Sequence, residues 1–162
     1  MSDEELVAEA LKFEKNLLNF FWRQGVSVSE GEDLVQETYL RLWNYRDRYE
    51  ASAKLSTFLF LIARQVRIDA LRRQAHRAER EESWGSGRGT CEMPPAFGLR
   101  EDVRWAVAQL SEPLRDVVEL GVFQDLPYAE VGEILGIPVG TVKSRMSNAL
   151  KKLKEVLNDK RP

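Results

Sequence analysis

Tyr128 to Leu153 reads YAEVGEILGIPVGTVKSRMSNALKKL, and its spacing decides the fold of the second half of the chain. A short helix ends at Leu135. Gly136 follows, where a tight turn often needs positive φ. Ile137 is an apolar turn residue that can pack between two helices, and Pro138 suits the first position of the next one. This is a helix-turn-helix. In its second helix Val142, Met146, Ala149 or Leu150, and Leu153 recur at helical spacing and are expected to face the core. Gly140, Lys143, Ser144, Ser147, Asn148 and Lys151 fall on the opposite side. No acid occurs from Pro138 to Lys154. Small residues let a helix sink into the major groove. Lys143 and Arg145 can reach phosphates or guanine edges, and Asn148 can pair with adenine. A solvated amphipathic helix would also carry lysines, but here the glycine turn, the proline start and the acid-free face coincide. That coincidence favours duplex DNA.

Outward from this motif almost every patterned stretch reads as helix, with no useful β-alternation and no internal repeat. The C-terminal half holds Glu101–Gln109, Glu112–Phe123, Tyr128–Leu135 and Val139–Leu157, with Ser111 as an N-cap and Pro113 in the first turn. In the N-terminal half, Val7, Ala10, Leu11, Glu14, Leu17 and Leu18 share helical spacing. Gly25 to Gly31 is a break. A second helix runs from about Glu32 to Tyr45, Arg46 to Ala53 is a loop, and a third helix runs from about Ser56 to Ala78, with Leu59, Ile62, Val66 and Ala70 as its apolar stripe. Between the halves lie a charged stretch, the flexible Gly85–Gly89 and Pro94-Pro95, so 81–98 reads as a linker. The expected fold is all-α: two small helical domains, 1–80 and 99–162, joined by that flexible linker.

Net charge is −2 over 162 residues, so any nucleic-acid affinity needs localised positive charge or a partner that supplies it. The longest apolar runs fall far short of the roughly 20 residues that span a bilayer. Met1 to Glu5 is acidic, unlike the basic start of a signal peptide. The chain is expected to be cytoplasmic, with no membrane insertion. Its one cysteine, Cys91, forms no internal disulfide, and neither a metal nor a cofactor is expected. Catalysis is not expected either, because one histidine, His76, and Cys91 are the sole thiol and imidazole.

Two N-terminal stretches carry a second constellation. In DLVQETYLRLW, Asp33 to Trp43, the residues Asp33, Gln36, Glu37 and Leu40 share one helical face, and Tyr39 and Trp43 form a neighbouring aromatic pair. Polar and acidic groups beside large aromatics suit a protein–protein surface. The alternative is that Trp43 is core and the acids are merely solvated. In LSTFLFLIARQVRIDALRR, Leu55 to Arg73, Arg64 and Arg67 share a face that Arg72 and Arg73 extend, near Tyr45, Tyr49, Phe58 and Phe60. Basic residues interleaved with aromatics suit single-stranded DNA. Phe58 itself is expected in the core.

These two stretches and YAEVGEILGIPVGTVKSR, in this order around a loose linker, resemble the sigma-70 family in its compact extracytoplasmic-function group. The resemblance covers roughly Leu11 to Arg80 and Glu101 to Leu157. It implies a non-enzymatic subunit that binds RNA polymerase core and directs promoter-specific initiation. It assigns polymerase docking to Asp33, Gln36, Glu37, Tyr39 and Trp43. It assigns the melted −10 element to the segment Tyr45 to Ser56 and the helix after it, with Lys54, Ser56, Arg64, Gln65, Arg67 and Arg72 as contacts. It assigns the duplex −35 element to Lys143, Ser144, Arg145, Ser147 and Asn148, and implies an inhibitory anti-sigma factor as partner. The sequence departs from the family pattern at Phe58 (commonly tryptophan), Gln65 (commonly asparagine), Pro127 (commonly serine, so that Asp125 is the alternative cap) and Asn148 (frequently basic). A stand-alone dimeric helix-turn-helix regulator would leave the N-terminal stretches without a purpose, and no dimerising heptad seam is evident. A sigma-like mimic that only titrates an anti-sigma protein would not need the basic recognition face.

Overall fold

The computed structural model describes residues 2–49, 54–80 and 101–160. The linker read at 81–98, with Cys91 in it, lies outside the described residues, as does the 50–53 part of the expected loop. Among the described residues every regular element is helical, and they form two compact units.

The first unit is built by α1 (Asp3–Leu11), α2 (Glu14–Arg23), α3 (Val28–Asn44) and α4 (Leu55–Arg80). α1 opens on a capping box: Ser2 Oγ accepts from Glu5 N at 3.2 Å, and Glu5 Oε2 accepts from Ser2 N at 2.9 Å. The expected single helix over Val7 to Leu18 is instead two. At the end of α1 the Lys12 and Phe13 amides donate to Glu9 and Ala10 carbonyls in tight i→i−3 bonds, at 3.3 and 3.1 Å. Neither glycine nor proline marks that break, so the apolar periodicity runs straight through it. The next break is shorter than expected. Gly25 stands at φ +87°, Ser27 caps α3 through Glu30 N at 3.2 Å, and Gly31 is already a buried helical residue.

α3 packs against α4, and α1 also packs on α4. Leu17, Phe21, Leu34, Leu59, Phe60, Ile62, Ala63 and Val66 are buried, with Phe20 edge-on to Phe60 at 5.8 Å. The expected loop begins with a 3₁₀ turn, Arg46–Arg48. Phe58 is half-buried rather than core, because its ring lies against Tyr49 at 5.5 Å, beside the stripe and not within it. α4 is uneven along its 26 residues. Its buried side chains end at Val66, and every residue from Leu71 to Arg80 is exposed.

The second unit holds α5 (Glu101–Ala108), α6 (Glu112–Val118), a π-helical turn (Glu119–Phe123), α7 (Tyr128–Leu135) and α8 (Val139–Lys160). α8 packs against α5, α6 and α7. Ala106, Val107, Leu110, Val117, Val131, Ile134, Val142, Met146 and Ala149 form the core. Ser111 takes the N-cap position of α6, but its hydroxyl makes no capping bond. Pro127 holds the N-cap of α7 without a side-chain cap, and Asp125 stands at φ +52° in the preceding turn, so the alternative Asp125 cap does not form.

Candidate nucleic-acid and protein interfaces

Gly136 closes α7 in the left-handed region, φ +68°, and its amide donates to the Gly132 carbonyl. The Ile137 amide donates to the same carbonyl at 3.0 Å. Pro138 then starts α8 by accepting from the Thr141 and Val142 amides at 3.0 and 3.1 Å. Two helices this close need a small residue at the crossing. A Cβ on Gly132 would stand 2.7 Å from the Ile137 carbonyl oxygen.

The turn fixes the roll of α8. Val142, Met146 and Ala149 are buried, which leaves Leu150, the other candidate for that core position, 49% exposed. Gly140, Lys143, Ser144, Ser147, Asn148 and Lys151 are all exposed, and Arg145 is half-exposed at the edge of that face. Ser144 turns its hydroxyl proton to the Thr141 carbonyl at 3.1 Å, which leaves its lone pairs outward as acceptors. The face is cationic, small and free of acids over three turns, the chemistry of a groove-reading helix.

In the first unit α3 presents Asp33, Gln36 and Leu40 as an exposed stripe, with Glu37 half-buried beside it. Leu40 is 61% exposed and Trp43 42%. The Arg46 guanidinium covers one face of Trp43 at 4.1 Å and donates to its carbonyl at 2.8 Å. Trp43 is therefore neither core nor free-swinging. It is an ordered aromatic at the surface, which suits an anchor for another protein.

Tyr39 differs from its neighbours. It is half-buried, and its hydroxyl donates to the Ala10 carbonyl at 3.1 Å, closing the end of α1. Burial, with the Glu14 carboxylate nearby, pushes the phenol up to about 12. A folded pKa above the unfolded value favours the folded state below the unfolded pKa, near 10, and loses that contribution as pH rises toward about 12. Tyr39→Phe is therefore expected to lower stability by about 0.5–1.5 kcal/mol at pH 8. The difference from the parent should shrink between pH 10 and 12, as read by urea unfolding at each pH.

Along α4, Gln65 and Arg72 are exposed, Arg64 and Arg67 are half-exposed, and Lys54 and Ser56 lie exposed and half-exposed at its start. Gln65 is not loose. Its Nε2 donates to Asp69 Oδ1 at 3.0 Å, and Asp69 Oδ2 accepts from Arg41 Nη1 at 2.7 Å. Arg41 Nε donates in turn to Glu37 at 3.0 Å.

The sequence matches the model of Sigma-70 region 2 over residues 12–77 and that of Sigma-70, region 4 over residues 100–153. It is 30% identical over 157 residues to the ECF RNA polymerase sigma factor RpoE of Cereibacter sphaeroides, covering 94% of this chain and 87% of the relative. The chain belongs to the sigma-70 family, in its extracytoplasmic-function group. The ECF sigma factor SigW of Bacillus subtilis is 29% identical over 97% of this chain and 91% of its own. Among solved structures, this sigma factor matches RpoE in complex with the anti-sigma factor NepR from Bartonella quintana. That match has a TM-score of 0.84 and 26% identity over 98% of this chain and 99% of the other. It shares its fold with CnrH in complex with the cytosolic domain of CnrY, with a TM-score of 0.74 and 17% identity over 99% of this chain and 92% of the other. The family is non-enzymatic and acts with RNA polymerase core on promoter DNA. No helix among the described residues of this sigma factor is long and apolar enough to cross a membrane.

Sequence reasoning missed three residues at these surfaces. Gly132 carries no signal beyond being a glycine inside a helix. Arg41 and Asp69 each form a visible i, i+4 pair, with Glu37 and Gln65. Their bond to each other, across 28 residues, has no sequence signature.

Proposed function

We propose that this sigma factor divides promoter recognition between its two units. Lys143, Ser144, Arg145, Ser147 and Asn148 read the duplex −35 element from α8. Lys54, Ser56, Arg64, Gln65, Arg67 and Arg72, with the segment from Tyr45 to Ser56, hold the melted −10 element. Asp33, Gln36, Glu37, Leu40 and Trp43 dock on the polymerase core, and Tyr39 supports that surface from behind. The reading assigns 1–80 to polymerase and −10 contacts, 81–98 to a linker and 99–162 to the −35 contacts. The observation that carries it is the outer face of α8, where cations and small polar groups stand clear of a core made by Val142, Met146 and Ala149.

The energetics assign the polymerase an essential part. Taking a base out of the stack costs a few kcal/mol, and an aromatic or guanidinium platform returns about 1–3 kcal/mol per base. A chain of net charge −2 has little electrostatic surplus to cover the rest. Core polymerase supplies the missing contact area and charge. Its site of action is the cytoplasm, and an anti-sigma factor holds it inactive, a reading supported by the NepR and CnrY complexes of its structural relatives.

Gel shifts on a promoter fragment test this. The free protein should bind weakly, and the holoenzyme tightly, with an affinity that falls steeply as salt rises. Equally tight specific binding without core would contradict the reading.

A further inference from the structure

Gln65 is an ambiguous reader by itself. Its amide can present a donor or an acceptor to a base, and only its surroundings can choose. Here Asp69 makes the choice. One carboxylate oxygen is held by Arg41 at 2.7 Å and the other accepts from Gln65 at 3.0 Å. The Arg41 side chain is 19% exposed and is itself clamped by Glu37, so the carboxylate is seated from the protein side. The Arg41 guanidinium holds the Asp69 carboxyl below its usual range, so Asp69 is ionised at neutral pH. An ionised carboxylate only accepts. Gln65 must therefore turn its NH₂ group to Asp69, and the carbonyl Oε1, on the other side of the amide carbon, points away from Asp69.

We propose that Asp69, seated by Arg41, sets base selectivity at the −10 element by fixing Gln65 with its Oε1 toward the DNA. Toward the base edge that lines the major groove in a duplex, an outward acceptor selects the amino groups of adenine N6 and cytosine N4. It disfavours guanine O6 and thymine O4, which are acceptors themselves. This inference rests on the reading of Gln65 as a −10 contact. Asp69 and Arg41 act through Gln65 and are positioning residues.

The test is run-off transcription by holoenzyme on promoters carrying each of the four bases at each −10 position in turn. The wild type should favour adenine or cytosine at one position by about fivefold, the lower end of a direct base contact. Gln65→Ala should flatten that position. Asp69→Asn should do something a loss of structure cannot. Arg41 keeps the new amide's oxygen, its NH₂ faces Gln65, and Gln65 must flip to present Nε2. Preference at the same position should then move to guanine or thymine. Asp69→Ala, which releases the amide, should flatten it, and Asp69→Glu should retain the wild-type order. Preference is a ratio within one preparation, so a reduced folded fraction cancels. If Gln65→Ala flattens the position while Asp69→Asn and Asp69→Ala keep the adenine or cytosine preference, the inference fails and the −10 reading stands. A uniform loss across all bases for Asp69→Asn and Asp69→Ala overturns it as well. If Gln65→Ala changes no position, the assignment of Gln65 to the −10 element fails, and the inference with it.

Discussion

Replacing Gly132 by valine is expected to destabilise the C-terminal unit by about 3 kcal/mol and to abolish duplex binding with it. Two effects compete at this site. A side chain in place of glycine gains helix propensity, at most about 1 kcal/mol and less for a β-branched residue. Against this, the Cβ would stand 2.7 Å from the Ile137 carbonyl oxygen and 3.6 Å from Val142 Cγ2. The first atom is backbone and belongs to the turn itself, so no rotamer change relieves the contact. α7 and α8 must move apart, and the roll of α8 changes with them. Gly132→Ala should show the same sign with a smaller effect, about 1–2 kcal/mol. Gly140 is the control. Nothing lies within 4 Å of a Cβ there, so Gly140→Ala should leave stability unchanged or raise it slightly. Thermal unfolding of the three variants checks the order. A Gly132→Val protein as stable as its parent would mean that the helix crossing is looser than described.

The second large effect is on DNA rather than on folding. Changing Lys143 and Arg145 together to alanine should weaken holoenzyme binding to a promoter with a −35 element by about 10²-fold, from about 1–3 kcal/mol per lost contact. The slope of affinity against salt should fall by about one to two units, because those two cations no longer displace counterions. Lys143 is exposed and Arg145 half-exposed, and neither contributes to the buried set of α8, so the unfolding curve should hardly move. Fluorescence anisotropy across a salt series, with unfolding measured alongside, separates the two readouts. A matched fall in stability would reassign Arg145 to packing.

Much of this was legible in the sequence, and the reasons are local. The helix-turn-helix declared itself because Gly136 has one conformational use and because Val142, Met146 and Ala149 repeat at a spacing that only a helix puts on one side. The resemblance to the sigma-70 family rested on the same stretch and on the two N-terminal ones. What was hidden had no local signature. The chain turns at Lys12 and Phe13 with no residue that breaks helices, because the turn is held by tight backbone bonds and by the Tyr39 hydroxyl arriving from α3. Tyr39 therefore read as a surface aromatic, whereas its polar end faces inward. The Arg41–Asp69 pair joins two helices whose facing was visible only once α3 had packed on α4. Gly132 needed the backbone of the turn in place before its lack of a side chain acquired a purpose.

The uneven burial along α4 has a consequence for how tightly it can hold anything. From Leu71 onward the helix has no buried side chain to lose by opening. These ten residues span about 15 Å at the helical rise and are held by local propensity, helix hydrogen bonds and contacts along the helix such as His76 Nδ1 with Glu79 Oε2 at 3.9 Å. Among the described residues their opening is expected near the low end of the range, while that of Leu59 to Val66 is tied to the buried core of the unit. In the proposed −10 contact, a phosphate strand on Arg72 and Arg73 would first have to still this segment, and part of the electrostatic attraction would go into that ordering. The same arginines on a stiff scaffold would bind more tightly and let go more slowly. Placed on the solvated end of α4, they would give that contact a grip that forms under high local concentration and lapses readily once that concentration is withdrawn.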